Sequence, residues 1–166
     1  MSKFKVGIVQ MPVVHELEEN LSVAKKMIAD AKSQGAEIVC LPEMFSCPYK
    51  SKNFPIYGEP EGGHTYSALK QYAIDNDIIL VGGSVPEDDE GRIYNTSYIF
   101  DNKGALIGKH RKMHLYDVDV KGGISFMESQ TLSAGKDATM IDTQHGLFGV
   151  GICYDIRFPE YSRILS

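Results

Sequence analysis

Three residue types able to do chemistry recur in this chain at one kind of place, the exit of a short apolar run. Cys153 ends the run 147–152, which carries two glycines and reads as a strand whose backbone something approaches closely. Asp155, Arg157, Pro159 and Glu160 follow, and Phe158, Tyr161, Ile164 and Leu165 then keep a helical period. A cysteine between a strand and a helix stands where open α/β sheets present their reactive groups. It is therefore a candidate nucleophile, against the plainer reading of a structural thiol. Glu43 follows the run 36–41, and Lys112 follows the run 105–111. If the three side chains meet, they supply a base, a fixed cation and a nucleophile. Histidine is the commoner partner of a catalytic cysteine, and His110 and His114 are candidates; His145 sits in a turn at the far end of its strand from Cys153. His110 and His114 are four positions apart, which suits a metal only on a helix, and the strand pattern there argues against one. Residue types alone leave a glutamate base and a histidine base both open.

The elements that must position these groups are legible in order. Residues 4–10 alternate as a first strand. Residues 16–34 place Leu17, Leu21, Ala24, Met27, Ile28 and Ala31 on one face of a helix that Gly35 ends, and 36–41 is a buried strand closed by Pro42. This strand-helix-strand unit predicts parallel pairing. Residues 44–63 are aromatic and aperiodic, with Phe45, Tyr49, Phe54 and Tyr57, as loops that line sites often are. A second helix spans 65–77 with Leu69, Tyr72 and Ala73 inward, a strand spans 78–85, and 86–92 reads as an acidic turn. Strands over 93–100 and 105–111 form a hairpin around Asp101 and Gly104, and 113–135 is a second aperiodic stretch holding His114, Tyr116, Asp117, Phe126 and Glu128. A last hairpin, 138–143 and 147–152, delivers Cys153. The order predicts an α/β fold, a mixed sheet with helices on one face in this part of the chain. The final helical pattern stops after about two turns without a cap or a following strand, so residues 1–166 read as the N-terminal portion of a longer domain.

Composition excludes several function classes. The chain has 166 residues, 43% hydrophobic and 23% charged, with a net charge of -5, and its only lysine-rich cluster is at residues 109–112, so nucleic acid is not an expected partner. Apolar runs fall short of the roughly 18 residues of a spanning helix, and the start lacks a signal-peptide pattern; no membrane association and a cytoplasmic location are expected. Cys40, Cys47 and Cys153 are odd in number, without zinc-like spacing, which speaks against a disulfide framework and a structural metal. Neither Gly82-Gly83 nor Gly135-Lys136 completes a phosphate-binding loop, so no cofactor is expected.

Three segments carry a resemblance. L-P-E-M-F (41–45), K-H-R-K-M-H-L (109–115) and G-I-C-Y-D-I-R-F-P-E (151–160), in this order and at this wide spacing, resemble the catalytic signatures of the nitrilase, or carbon-nitrogen hydrolase, superfamily. The resemblance covers the chain from Lys5 onward. It implies a four-layer α-β-β-α sandwich, here truncated after the nucleophile strand, and a domain that dimerises. It assigns Glu43 as general base, Lys112 as electrophilic cation, Cys153 as nucleophile and Glu128 as a second glutamate beside them. Tyr154 and Asp155 resemble the amidase branches, where nitrilases carry tryptophan and glutamate. The runs C-P-Y (47–49), G-G-S-V-P-E (82–87), Y-N-T (94–96), H-L-Y-D-V-D-V (114–120) and I-S-F-M-E-S (124–129) look most like the omega-amidase branch, though Lys121 stands where relatives commonly have proline. The implied reaction is hydrolysis of the terminal amide of a short dicarboxylic acid monoamide, 2-oxoglutaramate or succinamate. Tyr49, Tyr116, Arg157 and the backbone of Tyr154 are the expected substrate contacts, with Arg157 alternatively bracing the nucleophile turn through Asp155 or Glu160. An N-carbamoyl amidohydrolase using the same residues and a non-enzymatic binding or scaffold protein are the alternatives.

Overall fold

The computed structural model describes residues 3–166. β1 (Val6–Ile8), α1 (Leu17–Ser33) and β2 (Ile38–Cys40) form the first strand-helix-strand unit, and α2 (His64–Asn76) leads into β3 (Ile79–Val81) in the same sense. β1, β2 and β3 pair in parallel, as helical crossovers require. The chain then reverses. β4 (Val85–Asp89), β5 (Arg92–Phe100) and β6 (Leu106–Arg111) are antiparallel, and β5 holds β3 and β4 on one edge and β6 on the other, since Thr96 pairs with both Val85 and Arg111. Two hairpins follow, β7 (Asp117–Asp119) with β8 (Ser125–Met127), and β9 (Thr139–Thr143) with β10 (Gly146–Val150), before α3 (Pro159–Ile164).

The strand period of two sorts the sheet's side chains into two cores. Val39, Leu80, Tyr98 and Phe100 face α1 and α2, where Leu21, Ala24, Ile28, Leu69 and Ala73 close the first core. Ile38, Ile79 and Ile99 face the other way and meet Ile141 of β9 and Val150 of β10. Each such buried aliphatic side chain contributes about 1.5–3 kcal/mol, and this second core fixes the β9–β10 hairpin, hence Cys153, over the sheet. On the hairpin's outer face a Cβ at Gly149 would meet Leu165 at 2.8 Å and one at Gly151 would meet Tyr161 at 3.1 Å. The two glycines are therefore where α3 presses onto β10, and the layer order is α-β-β-α.

The structure differs from the sequence reading in four places, the first being the strand read over 78–85, which stops at Val81 so that Val85 opens β4. The acidic stretch 86–92 is not a turn: β4 runs through it, and the reversal is confined to Glu90-Gly91. The stretch 113–135 contains the β7–β8 hairpin and a 3-10 turn at Glu128–Gln130. The strand before Cys153 ends at Val150, and a 3-10 turn over Cys153–Arg157 separates it from α3.

β4 is a strand despite its charges because Glu87 is buried and paired. Its carboxylate accepts from Arg111 Nε and Nη2 at 2.7 and 2.8 Å and from Thr96 Oγ1 at 2.7 Å, and Lys109 adds a third cationic contact. Burial alone would raise the Glu87 pKa, but the hydrogen bonds from Arg111, Lys109 and Thr96 outweigh it and hold the group at about 2. A carboxylate whose folded pKa is depressed stabilises the fold above its unfolded value, and that stabilisation is lost as the pH falls through the folded value. From an unfolded value near 4.5, the difference corresponds to about 3 kcal/mol at most, since Lys109 and Arg111 are each about a quarter exposed. Glu87→Gln should therefore lower unfolding free energy by up to that amount at pH 6, with the gap to the parent closing between about pH 4.5 and 2. Urea unfolding across this range is the check; a gap independent of pH would remove the ion cluster as the cause.

Candidate active site

Glu43 leaves β2 through Pro42 and enters a turn in which Met44 adopts φ 51°. That turn nests in the break between β3 and β4: Ser84 Oγ accepts from Met44 N–H at 3.0 Å, and a Cβ at Gly83, itself at φ +58°, would come within 2.1 Å of the Pro42 carbonyl oxygen. Only glycine fits there. Lys112 immediately follows β6 and is held by its own backbone, its N–H donating to Asn95 O at 2.9 Å and its carbonyl accepting from Gly135 N–H at 2.8 Å. Cys153 is the third residue after β10 and sits at φ 47°. Of the four non-glycine residues with positive φ among the described residues, Asp77 caps a helix and Glu90 makes a hairpin turn, while Met44 and Cys153 flank this site. Left-handed backbone costs a β-carbon residue about 1–3 kcal/mol and persists where surrounding structure imposes it.

The side chains converge. Lys112 is fully buried, and its ammonium donates to Glu128 Oε1 at 2.9 Å and Glu43 Oε1 at 3.1 Å. Glu128 is fully buried too, accepting from Lys112 and Tyr49 Oη on Oε1 and from Tyr116 N–H on Oε2 at 2.6 Å. The solvated loop carboxylate that is the ordinary fate of a glutamate is excluded. Asn95 Nδ2 donates to Glu43 Oε1 at 2.8 Å and Tyr49 Oη lies 3.4 Å from the same oxygen, so with Lys112 three donors face Oε1 and none of them engages Oε2. Burial alone would lower the Lys112 pKa; the charges and hydrogen bonds of Glu43 and Glu128 outweigh it and raise it. Cys153 is an exposed residue whose thiol pKa is nevertheless raised, first by partial burial and then by the charge of Glu43, against a lowering by Lys112. A hydrogen bond to Glu43 and the charge of Glu128 add to the rise, so the resting sulfur is held as a thiol, although the cation alone would favour the thiolate.

The strands behind this meeting are not neighbours. β3 and β5 separate β2 from β6, and β10 belongs to the second sheet, so Cys153 reaches the others across the sandwich. The three candidate histidines have other partners. His110 is fully buried with Nε2 on Asp155 at 3.1 Å and Nδ1 at Thr139, and His114 Nδ1 is bound to Asp155 at 2.7 Å. His145 stacks on Phe4 at the other end of the hairpin. No grouping of metal-ligating side chains occurs among the described residues.

The expected substrate contacts divide. The Tyr49 hydroxyl donates to Glu128 and lies 3.4 Å from Glu43, so its proton is engaged in the carboxylate network; burial and then Glu43 raise its pKa. Tyr116 uses its backbone on Glu128 and its ring in an edge contact with Tyr154, 5.2 Å between centroids, and Tyr154 in turn meets Phe158. Arg157 is exposed, and the bracing role through Asp155 falls to His110 and His114 instead. Sequence reasoning missed Asn95 and the Asp155 cluster. The Y-N-T and C-Y-D runs held these residues, but only as marks of kinship.

A carbon-nitrogen hydrolase family model matches residues 5–166. Among curated proteins, the chain is 47% identical to omega-amidase NIT2 of Xenopus tropicalis over 166 residues, covering all of this chain and 60% of the relative. It is 46% identical to a hydrolase of Schizosaccharomyces pombe over 165 residues, covering 98% of this chain and 51% of the relative. Among solved structures, Nit3 of Saccharomyces cerevisiae, a member of branch 10 of the nitrilase superfamily, superposes with a TM-score of 0.86 at 41% identity, over 97% of this chain and 59% of that one. The chain thus spans between 51% and 60% of the length of these curated relatives. No helix among the described residues is long and apolar enough to cross a membrane.

Proposed function

The chain belongs to the carbon-nitrogen hydrolase family, and we propose that the protein is a thiol-dependent amidohydrolase that releases ammonia from a short dicarboxylic acid monoamide, 2-oxoglutaramate or succinamate. The observation that carries the reaction is the buried Lys112 ammonium held between Glu43 and Glu128, with the charge of Glu43 raising the pKa of the Cys153 thiol. The substrate class is supported by likeness to proteins named omega-amidase.

The chemistry follows from the atoms. Glu43 Oε1 already holds Asn95 and Lys112, so Oε2 takes the Cys153 proton as sulfur attacks the amide carbon. The carbonyl oxygen becomes an oxyanion facing the Lys112 ammonium and the Tyr154 N–H. Collapse breaks the C–N bond, Oε2 returns the proton to the departing nitrogen, and ammonia leaves a thioester on Cys153. Glu43 then draws a proton from water, whose oxygen attacks the thioester, and the thiol is restored with the carboxylic acid as product. Glu128 moves no proton in this scheme. With its acceptors filled by Lys112, Tyr49 and Tyr116 N–H, it fixes the ammonium. Arg157, exposed beside the nucleophile turn, is the cation offered to the distal carboxylate of the substrate.

The test is ammonia release from succinamate and butyramide. The ratio of kcat/KM is expected to exceed about 100, the value of a charge-assisted contact of roughly 3 kcal/mol, and Cys153→Ala should abolish release from both. A ratio near one with Cys153-dependent turnover ends the substrate assignment and leaves the amidase; carbon dioxide with ammonia from carbamoyl substrates selects the carbamoyl branch. Turnover by Cys153→Ala ends the mechanism.

A further inference from the structure

Asp155 is fully buried two residues after Cys153, and its carboxylate receives four N–H groups. Oδ2 accepts from Ile152 N–H at 2.9 Å and His110 Nε2 at 3.1 Å, and Oδ1 accepts from His114 N–H at 2.9 Å and His114 Nδ1 at 2.7 Å. The positions of these donors give the cluster its meaning. Ile152 directly precedes the nucleophile, and the Asp155 N–H returns a bond to Ile152 O at 3.0 Å, so a closed ring of hydrogen bonds encircles Cys153 and Tyr154. His110 and His114 stand two residues before and two residues after Lys112. One carboxylate therefore grips the turn that carries the nucleophile and both flanks of the residue that carries the cation.

We infer that Asp155 is a positioning residue: it imposes the left-handed backbone at Cys153 and docks the nucleophile turn, across the two sheets, onto the end of β6 that carries Lys112. The surrounding chain supports the geometry. No hydrogen bond of the β-ladders joins β10 to β6, because they lie in different sheets. Contact between the two runs through β9 and through this carboxylate, with Thr139 of β9 reaching His110 Nδ1 at 3.1 Å and the Lys109 carbonyl at 3.2 Å. The His114 ring stacks on Phe158 at 3.7 Å between centroids, and Tyr161 closes over His110 while donating to Val150 O, so the donors are themselves held in place. Burial alone would raise the Asp155 pKa; the bonds from His110, Ile152 and His114 outweigh it and hold it at about 2, so the carboxylate is ionised and accepts all four. Replacing it by an amide turns one acceptor into a donor that faces other donors, and the ring about Cys153 opens.

The inference rests on the catalytic reading of Cys153 and Lys112, and its test separates the two. In Asp155→Asn, the sulfur released from Glu43 behaves as an ordinary thiol. The pH midpoint for iodoacetamide alkylation of Cys153, followed by mass spectrometry of its peptide, should fall from its raised value to about 8.5. In the same variant kcat for succinamate should fall about a hundredfold with KM within threefold. His114→Asn, which keeps a donor near the Nδ1 position, should keep the parent's alkylation midpoint to within about half a pH unit and its kcat to within about threefold, and His114→Leu should move both in the direction of Asp155→Asn. A lowered melting temperature with an unchanged alkylation midpoint in Asp155→Asn overturns the inference, since that is the signature of a merely structural carboxylate. If Asp155→Asn does not fold, His114→Leu decides by the same midpoint. A parent with no amide turnover would end the functional reading and leave the alkylation test of Asp155 intact.

Discussion

Glu43→Gln is expected to lower kcat/KM for the amide substrate by about 10³-fold while making Cys153 easier to alkylate at neutral pH. The loss of turnover is the ordinary cost of removing a positioned general base, 10²–10⁴-fold, and the amide keeps the geometry. Its oxygen can occupy the Oε1 position, where Asn95 and Lys112 donate, and its nitrogen then replaces Oε2 and can take no proton. The thiol moves the other way. After burial, the charge of Glu43 is the largest influence raising the Cys153 pKa, and its hydrogen bond raises it further, whereas Lys112 lowers it. Removing the first two leaves the cation in place, still held by Glu128 at 2.9 Å, so the thiolate fraction at pH 7 increases. Two opposite changes from one substitution are hard to obtain from misfolding. Parallel assays of ammonia release and iodoacetamide consumption decide the matter: slower alkylation in Glu43→Gln, or turnover within tenfold of the parent, would refute the proton-transfer role.

What could be read from the sequence, and what could not, follows the range over which each feature is encoded. The α1 and α2 faces and the strands of the first sheet were legible because a period of 3.6 or 2 needs only neighbours in sequence. Cys153, Glu43 and Lys112 could be singled out because each ends a strand pattern and lies in a distinctive segment. Their meeting could not be derived from pattern, since β2 and β6 are separated by two strands in one sheet and β10 joins them only by packing between two sheets. The acidic stretch 86–92 misled for a similar reason: Asp and Glu disfavour strands when solvated, and only the approach of Arg111 and Lys109, more than 20 positions away, makes Glu87 a strand residue. Asn95 was equally opaque. Nothing in Y-N-T says that the amide will point at a carboxylate 52 positions earlier. The left-handed residues carry a different signal. Met44 and Cys153 have no side-chain preference for that conformation, and it is set by Ser84, Pro42 and Gly83 in one case and by Ile152 and Asp155 in the other.

Lys112→Met should remove about 10³-fold of kcat/KM and destabilise the fold by about 3–5 kcal/mol, and the two losses should be separable by a second substitution. Methionine matches the length of the lysine stem but brings no charge. The oxyanion loses its cation, worth 10²–10³-fold for a single preorganised donor, and the alignment of Glu43 loosens as well. Stability suffers for another reason. Glu128 is fully buried and Glu43 is only 23% exposed, and in the parent both carboxylates bind the same ammonium. Without it they face one another across an apolar side chain, with Glu128 keeping only the Tyr49 hydroxyl and the Tyr116 N–H as donors. Breaking a buried ion pair by removing one partner leaves an uncompensated charge, which is more damaging than replacing the whole pair. Adding Glu128→Gln to Lys112→Met removes that charge and retains an acceptor for Tyr116 N–H. The double variant should recover more than half of the lost unfolding free energy and none of the turnover. Urea unfolding at pH 7 of the parent, both single variants and the double variant measures the coupling. Strict additivity of the two substitutions would mean that Lys112 stabilises through packing of its stem and not through its charge, and that the buried triad of Glu43, Lys112 and Glu128 is not the electrostatic unit on which the mechanism depends.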